Sequence, residues 1–75
     1  MKIYKNVLDL RKYKCPDSII FLRKKIRTMK KKEIILIISN DPSTKWDIPN
    51  FCAFMNHKII EFYIEFTPFK YLLQK

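Results

Sequence analysis

No glycine occurs anywhere in the 75 residues, where average usage would supply about five. That absence excludes the glycine-rich phosphate loops of nucleotide-binding domains. Cysteine is nearly as scarce. Cys15 and Cys52 permit one disulfide at most, whereas small secreted domains usually carry two to four, so both read as free thiols. With a single histidine, His57, and no CxxC, a tetrahedral Cys/His zinc site has too few ligands. The same shortage leaves no nucleophile beside a base, which removes the familiar hydrolase and kinase constellations. Uninterrupted apolar runs such as Ile34 to Ile38 stay far short of the roughly 20 residues a membrane span needs. Met1 to Asn6 has basic residues but no apolar stretch or small-residue cleavage site behind them, so no secretory leader is expected and the expected compartment is the cytoplasm.

What is present describes one small folded domain over residues 1–75. Hydrophobic residues make up 48% and aromatics 15%, enough for a thin core despite the charged fraction. The charge is lopsided. Residues 1–32 hold twelve basic and two acidic residues, and residues 33–75 hold four and five, so the first half generates the whole positive field. Such a field speeds encounters with acidic proteins or nucleic acid. Thirteen Lys, twelve Ile and no Gly also fit the codon drift of an AT-rich genome, and composition alone leaves both readings open.

Ile3 to Leu10 alternates as a first strand, and Cys15-Pro16 then opens a helix. Ile19, Leu22, Ile26 and Met29 recur on one face of that helix, while Arg23, Arg27 and Lys30 form a basic face. Its end is expected near Lys31, with Lys30 to Lys32 set against the dipole. Glu33 to Ser39 is a buried strand, Asn40 to Thr44 a turn, and Ser43 to Met55 a second helix. Pro49 demands an irregular first turn or a kink in that helix. Lys58 to Glu65 alternates, with Ile60, Phe62 and Ile64 on one face and Ile59, Glu61, Tyr63 and Glu65 on the other. Phe69 to Gln74 closes a hairpin with it. The order βαβαββ predicts an α+β protein, a two-layer α/β sandwich with a four-stranded mixed sheet and both helices on one face.

Cys15 carries the chemistry. At a helix N-terminus a thiol meets unpaired amides and the positive end of the dipole, and Arg11, Lys12 and Lys14 add charge of the same sign. Cysteine is also a poor capping residue, so stability alone does not select it there. On the residues alone, two readings stand: a nucleophilic thiolate, or a small apolar side chain beneath a loop. A thiolate without a base can still exchange sulfur with another protein's cysteine, and a persulfide on it would be transferable.

Several segments together resemble the TusA (SirA-like) sulfur carriers: Leu8-Asp9-Leu10-Arg11 followed by Cys15-Pro16, Leu22-Arg23-Lys24, Ile37 to Pro42, and Asp47-Ile48-Pro49-Asn50-Phe51-Cys52. The similarity runs without gaps from about Val7 to Lys75. It implies a βαβαββ two-layer fold and a non-enzymatic carrier in which Cys15 takes persulfide sulfur from a cysteine desulfurase. The sulfur then passes through a relay protein toward 2-thiolation of the wobble uridine in certain tRNAs. No cofactor, no metal, no membrane and no direct nucleic-acid contact are implied. A SirA-like regulatory or other sulfur-metabolism role, or a small basic nucleic-acid-binding domain, remains an alternative. Lys12 stands where the family usually has Gly, Ser18 where it has a second Pro, and Asn50 where Gly is common. Lys12 would therefore be strained if its φ were positive.

The resemblance also singles out Asp17, Arg23, Arg27 and Asp41 as partner-binding residues. Each has a plainer reading: Asp17 as a charge favourable to the helix dipole, Arg23 and Arg27 as a solvated face, and Asp41 as a turn or cap residue. Cys52 belongs to the second helix's apolar pattern and reads as core, as do Trp46 and Phe54, with exposed anchoring as their other reading. His57 reads as structural.

Overall fold

The computed structural model describes Tyr4, residues 6–14 and residues 16–75. The expectations that concern Ile3 and Cys15 lie outside the described residues. The elements are β1 (Asn6–Asp9), α1 (Asp17–Arg27), β2 (Ile34–Ser39), α2 (Thr44–Met55), β3 (Lys58–Tyr63) and β4 (Phe69–Gln74). They form one four-stranded sheet in the order β1-β2-β4-β3. β1 runs parallel to β2, and β4 runs antiparallel to both β2 and β3. This is the mixed-sheet α+β sandwich expected from the pattern.

The core lies between the helices and one sheet face. Leu8 pairs with Ile37, and Ile35 and Ile37 stand opposite Leu73 and Tyr71. These side chains pack with Leu22 and Ile26 of α1 and Ile48, Phe51 and Cys52 of α2. Strand residues two apart share a face, so both helices cover the same side. The other face remains partly open: Ile34, Leu36 and Ile38 are half-buried, and Leu72 is buried among them. Inside the core, Thr44 Oγ1 donates to the Asp41 carbonyl at 2.7 Å. It therefore accepts from Tyr71, whose hydroxyl is 2.9 Å away.

The elements depart from expectation in four places. α1 stops at Arg27, four residues before Lys31, because Thr28 Oγ1 bonds back to the Lys25 carbonyl at 2.7 Å. Lys30 to Glu33 then form a tight turn, with the Lys30 amide on Glu33 Oε1 and Lys32 at φ 75°. The cation at the end of α1 is instead Lys75, whose Nζ donates to the Ile26 and Met29 carbonyls at 2.9 and 2.7 Å. The helix α2 begins one residue late. Its opening amides, Thr44, Lys45 and Trp46, bond three residues back, an irregular first turn that lies before Pro49. In β3 a bulge between Ile59 and Glu61 places Ile59 opposite Leu73 and Glu61 opposite Leu72. The extra residue moves Ile59 from Glu61's side to the core side. Finally, Lys12 does not take the positive φ that would have strained it; Lys32 and Asn56 do.

Candidate functional site

The parallel strands β1 and β2 end together, and β1 leads from that end into α1. Its connection is held at several points. The Leu10 amide extends the ladder to the Ile38 carbonyl at 2.7 Å, and the Tyr13 amide turns back to the Leu10 carbonyl at 3.0 Å. Tyr13 also packs its ring against Phe21 of α1, with centroids 4.6 Å apart. Arg11 clamps Asp9, with Nε on Oδ1 at 2.9 Å and Nη2 on Oδ2 at 2.7 Å. These contacts lower the Asp9 carboxyl to about 2. Arg11 is therefore paired and contributes less to the local field than the sequence suggested. The exposed Lys12 and Lys14 supply the rest.

Pro16 occupies the cap position, one residue earlier in the helix frame than expected. The turn is already helical there, since the Ser18 amide donates to the Lys14 carbonyl at 3.3 Å and the Ile20 amide to the Pro16 carbonyl at 3.2 Å. Asp17 is exposed in the first turn of α1, a favourable place for a carboxylate against the dipole. Ser18 is 1% exposed, and its Oγ has no hydrogen-bond partner among the described residues.

From Pro16 an open groove of about 560 Å³ runs between α1 and α2. Arg23, Lys24 and Arg27 line it from α1, and Asp47, Asn50 and Phe54 from α2. Arg23 and Arg27 thus line one groove with Pro16. Asp41 does not join them. It lies on the β2–α2 turn, where Oδ1 accepts the Ser43 amide at 3.0 Å and Oδ2 the Ser43 hydroxyl at 2.8 Å. That is the turn role weighed for it from sequence.

Two groove residues escaped the sequence reading. Phe54 is 83% exposed and corrects its expected core placement; it follows the buried Phe51 by three positions and projects past the core stripe. Trp46 is likewise exposed, not core. Asp47 was seen only as part of a motif. Its Oδ2 is buried in the groove without a hydrogen-bond partner among the described residues, which no local pattern announces. Cys52 lies in the core as expected, 2% exposed, and desolvation pushes its thiol up to about 11.

The fold and groove define an α+β protein with a mixed cationic and aromatic cleft, open to the surface and starting at Pro16 before α1. A family model described as "Sulfurtransferase TusA" matches residues 6–75. The chain is 48% identical over 75 residues to "Sulfur carrier protein TusA" of Buchnera aphidicola subsp. Baizongia pistaciae (strain Bp), covering 100% of this chain and 95% of the relative. The chain belongs to the TusA family of sulfur carriers.

Proposed function

We propose that this chain carries sulfur as a persulfide on Cys15, receiving it from a cysteine desulfurase and yielding it to a relay protein on the way to 2-thiouridine at the tRNA wobble position. The burial of Cys52 is the observation that carries this reading. A carrier needs a thiol that partners can reach, the sequence has two cysteines, and Cys52 is enclosed with its thiol held protonated. Cys15 lies outside the described residues, but its neighbours Lys14 and Pro16 are exposed and precede a helix whose amides favour an anion.

In loading, the Cys15 thiolate attacks the outer sulfur of the donor's persulfide. A new S–S bond forms as the donor's S–S bond breaks, and the donor cysteine leaves as thiolate with no net oxidation. In delivery, an acceptor thiolate attacks the same outer sulfur and Cys15 leaves. Sulfur exchange of this kind needs no further catalytic group, and the reading is therefore of a carrier and not an enzyme. The groove beside Pro16, with Arg23, Arg27 and exposed Phe54, suits an acidic and apolar protein surface. Asp17, exposed in the first turn of α1, directly follows the groove residue Pro16. Asp41 serves docking only through the turn it shapes.

Among the described residues no helix is long and apolar enough to cross a membrane, and relay between soluble partners fits a cytoplasmic protein. Incubation with a cysteine desulfurase, its pyridoxal phosphate and free cysteine is expected to add one sulfur, about 32 Da, by intact-mass spectrometry. Cys15→Ala abolishes the gain and Cys52→Ala keeps it. Sulfur recovered on Cys52 instead would overturn the reading. In cells, loss of the gene should deplete wobble 2-thiouridine, measured by nucleoside mass spectrometry.

A further inference from the structure

We propose that this chain pairs with a second copy of itself along the outer edge of β3, forming a twofold-symmetric dimer in which two four-stranded sheets join edge to edge. β3 ends the sheet and pairs only with β4. Alternate residues of its outer edge therefore present amides and carbonyls that have no ladder partner among the described strands. Native edges are normally blunted by brevity, charge or proline. The opposite edge follows that rule, since β1 has four residues and ends at Asp9, which Arg11 clamps. β3 does not. Its bulge lies near its start and leaves Glu61, Phe62 and Tyr63 in regular register. That stretch and the loop behind it expose Phe62, Tyr63 and Phe66 at 58, 56 and 80%.

Symmetry selects the register. In an antiparallel pair opposite residues share a face, and a twofold axis through the edge sets one residue opposite its own copy. Glu61 at the axis would set two carboxylates against each other. Tyr63 at the axis would set Glu61 against Glu65, with the same penalty. Phe62 at the axis sets ring against ring, and Glu61 against the second copy's Tyr63, the residue type whose hydroxyl already donates to Glu61 Oε2 at 2.6 Å within the chain. The pairing therefore centres on Phe62. Its antiparallel direction carries Phe66 toward Lys58 of the second copy, an aromatic face beside a cation.

The exposed area suits a weak dimer. Rings of about 200 Å² at those exposures offer roughly 400 Å² per copy, or roughly 800 Å² in all. Stable interfaces bury from about 1,200 Å² in total, and the edge backbone with Ile60 and Lys58 supplies the difference. The hairpin also borders an open cavity of about 600 Å³ between Phe62, Phe66 and Lys70, room for a ring of the second copy. The pairing edge and the α1–α2 groove share no residue, because the described groove residues fall between Pro16 and Phe54.

The test is sedimentation velocity of the full chain under reducing conditions, between about 5 and 500 µM. A monomer–dimer equilibrium that follows concentration is expected. Phe62→Lys should weaken it about tenfold or more, with the far-ultraviolet circular dichroism unchanged. Position is read by cross-linking. Cys15→Ala with Phe62→Cys leaves one accessible thiol, Cys52 being enclosed, and a short bismaleimide should link two copies through it. Cys15→Ala with Val7→Cys, on the opposite edge, should stay unlinked. A monomer at every concentration would overturn the proposal, as would a dimer that persists in Phe62→Lys or links through Val7→Cys. Assemblies larger than a dimer would also overturn it, since an isologous edge contact closes at two copies.

Discussion

At the scale of single residues, His57 and Tyr71 illustrate how burial sets what a side chain contributes. Burial beside the Phe51 ring, 5.8 Å between centroids, and then the charge of Lys75 lower the His57 pKa from its usual 6.5. The unfolded chain therefore takes up a proton first, and folding stability is full above about 6.5 and declines as pH falls below it. Urea midpoints at pH 7.5 and 5.5 should show this decline, and His57→Gln should flatten it. Asp9, lowered to about 2 from 3.8 by the Arg11 hydrogen bonds first, acts in a separate window: its contribution is present above about 3.8 and lost as pH falls toward 2. Tyr71 donates to a Thr44 hydroxyl that already serves the Asp41 carbonyl. Tyr71→Phe should cost about 1 kcal/mol in chemical denaturation. The sequence marked Cys52 as core because it fell on an apolar stripe. It left Phe54 between core and exposed anchoring, since a phenylalanine three positions after Phe51 fits an apolar face until the facing helix is placed.

Elements are ended by partners distant in sequence as much as by their own residues. The lysine run after α1 was legible as a helix terminus, but its position and its cation were not. Lys75 caps carbonyls 46 and 49 positions earlier, a contact no local window contains. The cost of the actual turn falls on Lys32, at φ 75°, where a side chain is strained by about 1 kcal/mol or more. Lys32→Gly should raise stability by about 0.5 to 1 kcal/mol, read from the urea midpoint; the flexibility that glycine adds to the unfolded chain sets the upper bound. Asn56, at φ 60°, needs no such relief, because asparagine tolerates the left-handed region at a helix end. The β3 bulge is similar in kind. Alternation from Lys58 onward was correct strand evidence, yet the inserted residue that returns Ile59 to the core depends on β4, and period-two patterning assumes no insertion.

For the whole molecule, the order βαβαββ and the single-faced helical layer were readable because hydrophobic period and crossover handedness leave few arrangements. The strand order and the groove depended on packing between segments far apart in sequence. The positive field of the first half is concentrated on and around α1, where Arg23, Lys24 and Arg27 border the groove. Reversing two of these charges, Arg23→Glu with Arg27→Glu, should slow association with a desulfurase about tenfold at low salt and flatten its salt dependence, measured by surface plasmon resonance. Cys15 would remain chemically competent, so alkylation at low pH should change far less than association.

The strand that comes last in order, β4, lies inside the sheet between β2 and β3. During synthesis β3 has no strand to pair with, and β2 has only β1, until residues 69–74 have left the ribosome. At about 5 to 20 residues per second, translation of the whole chain lasts about 4 to 15 s. Through the later part of that time Ile34 to Ile38 is a sticky nascent segment in need of shelter. A stalled or prematurely stopped transcript would yield no smaller working version, only a chain for proteases to clear.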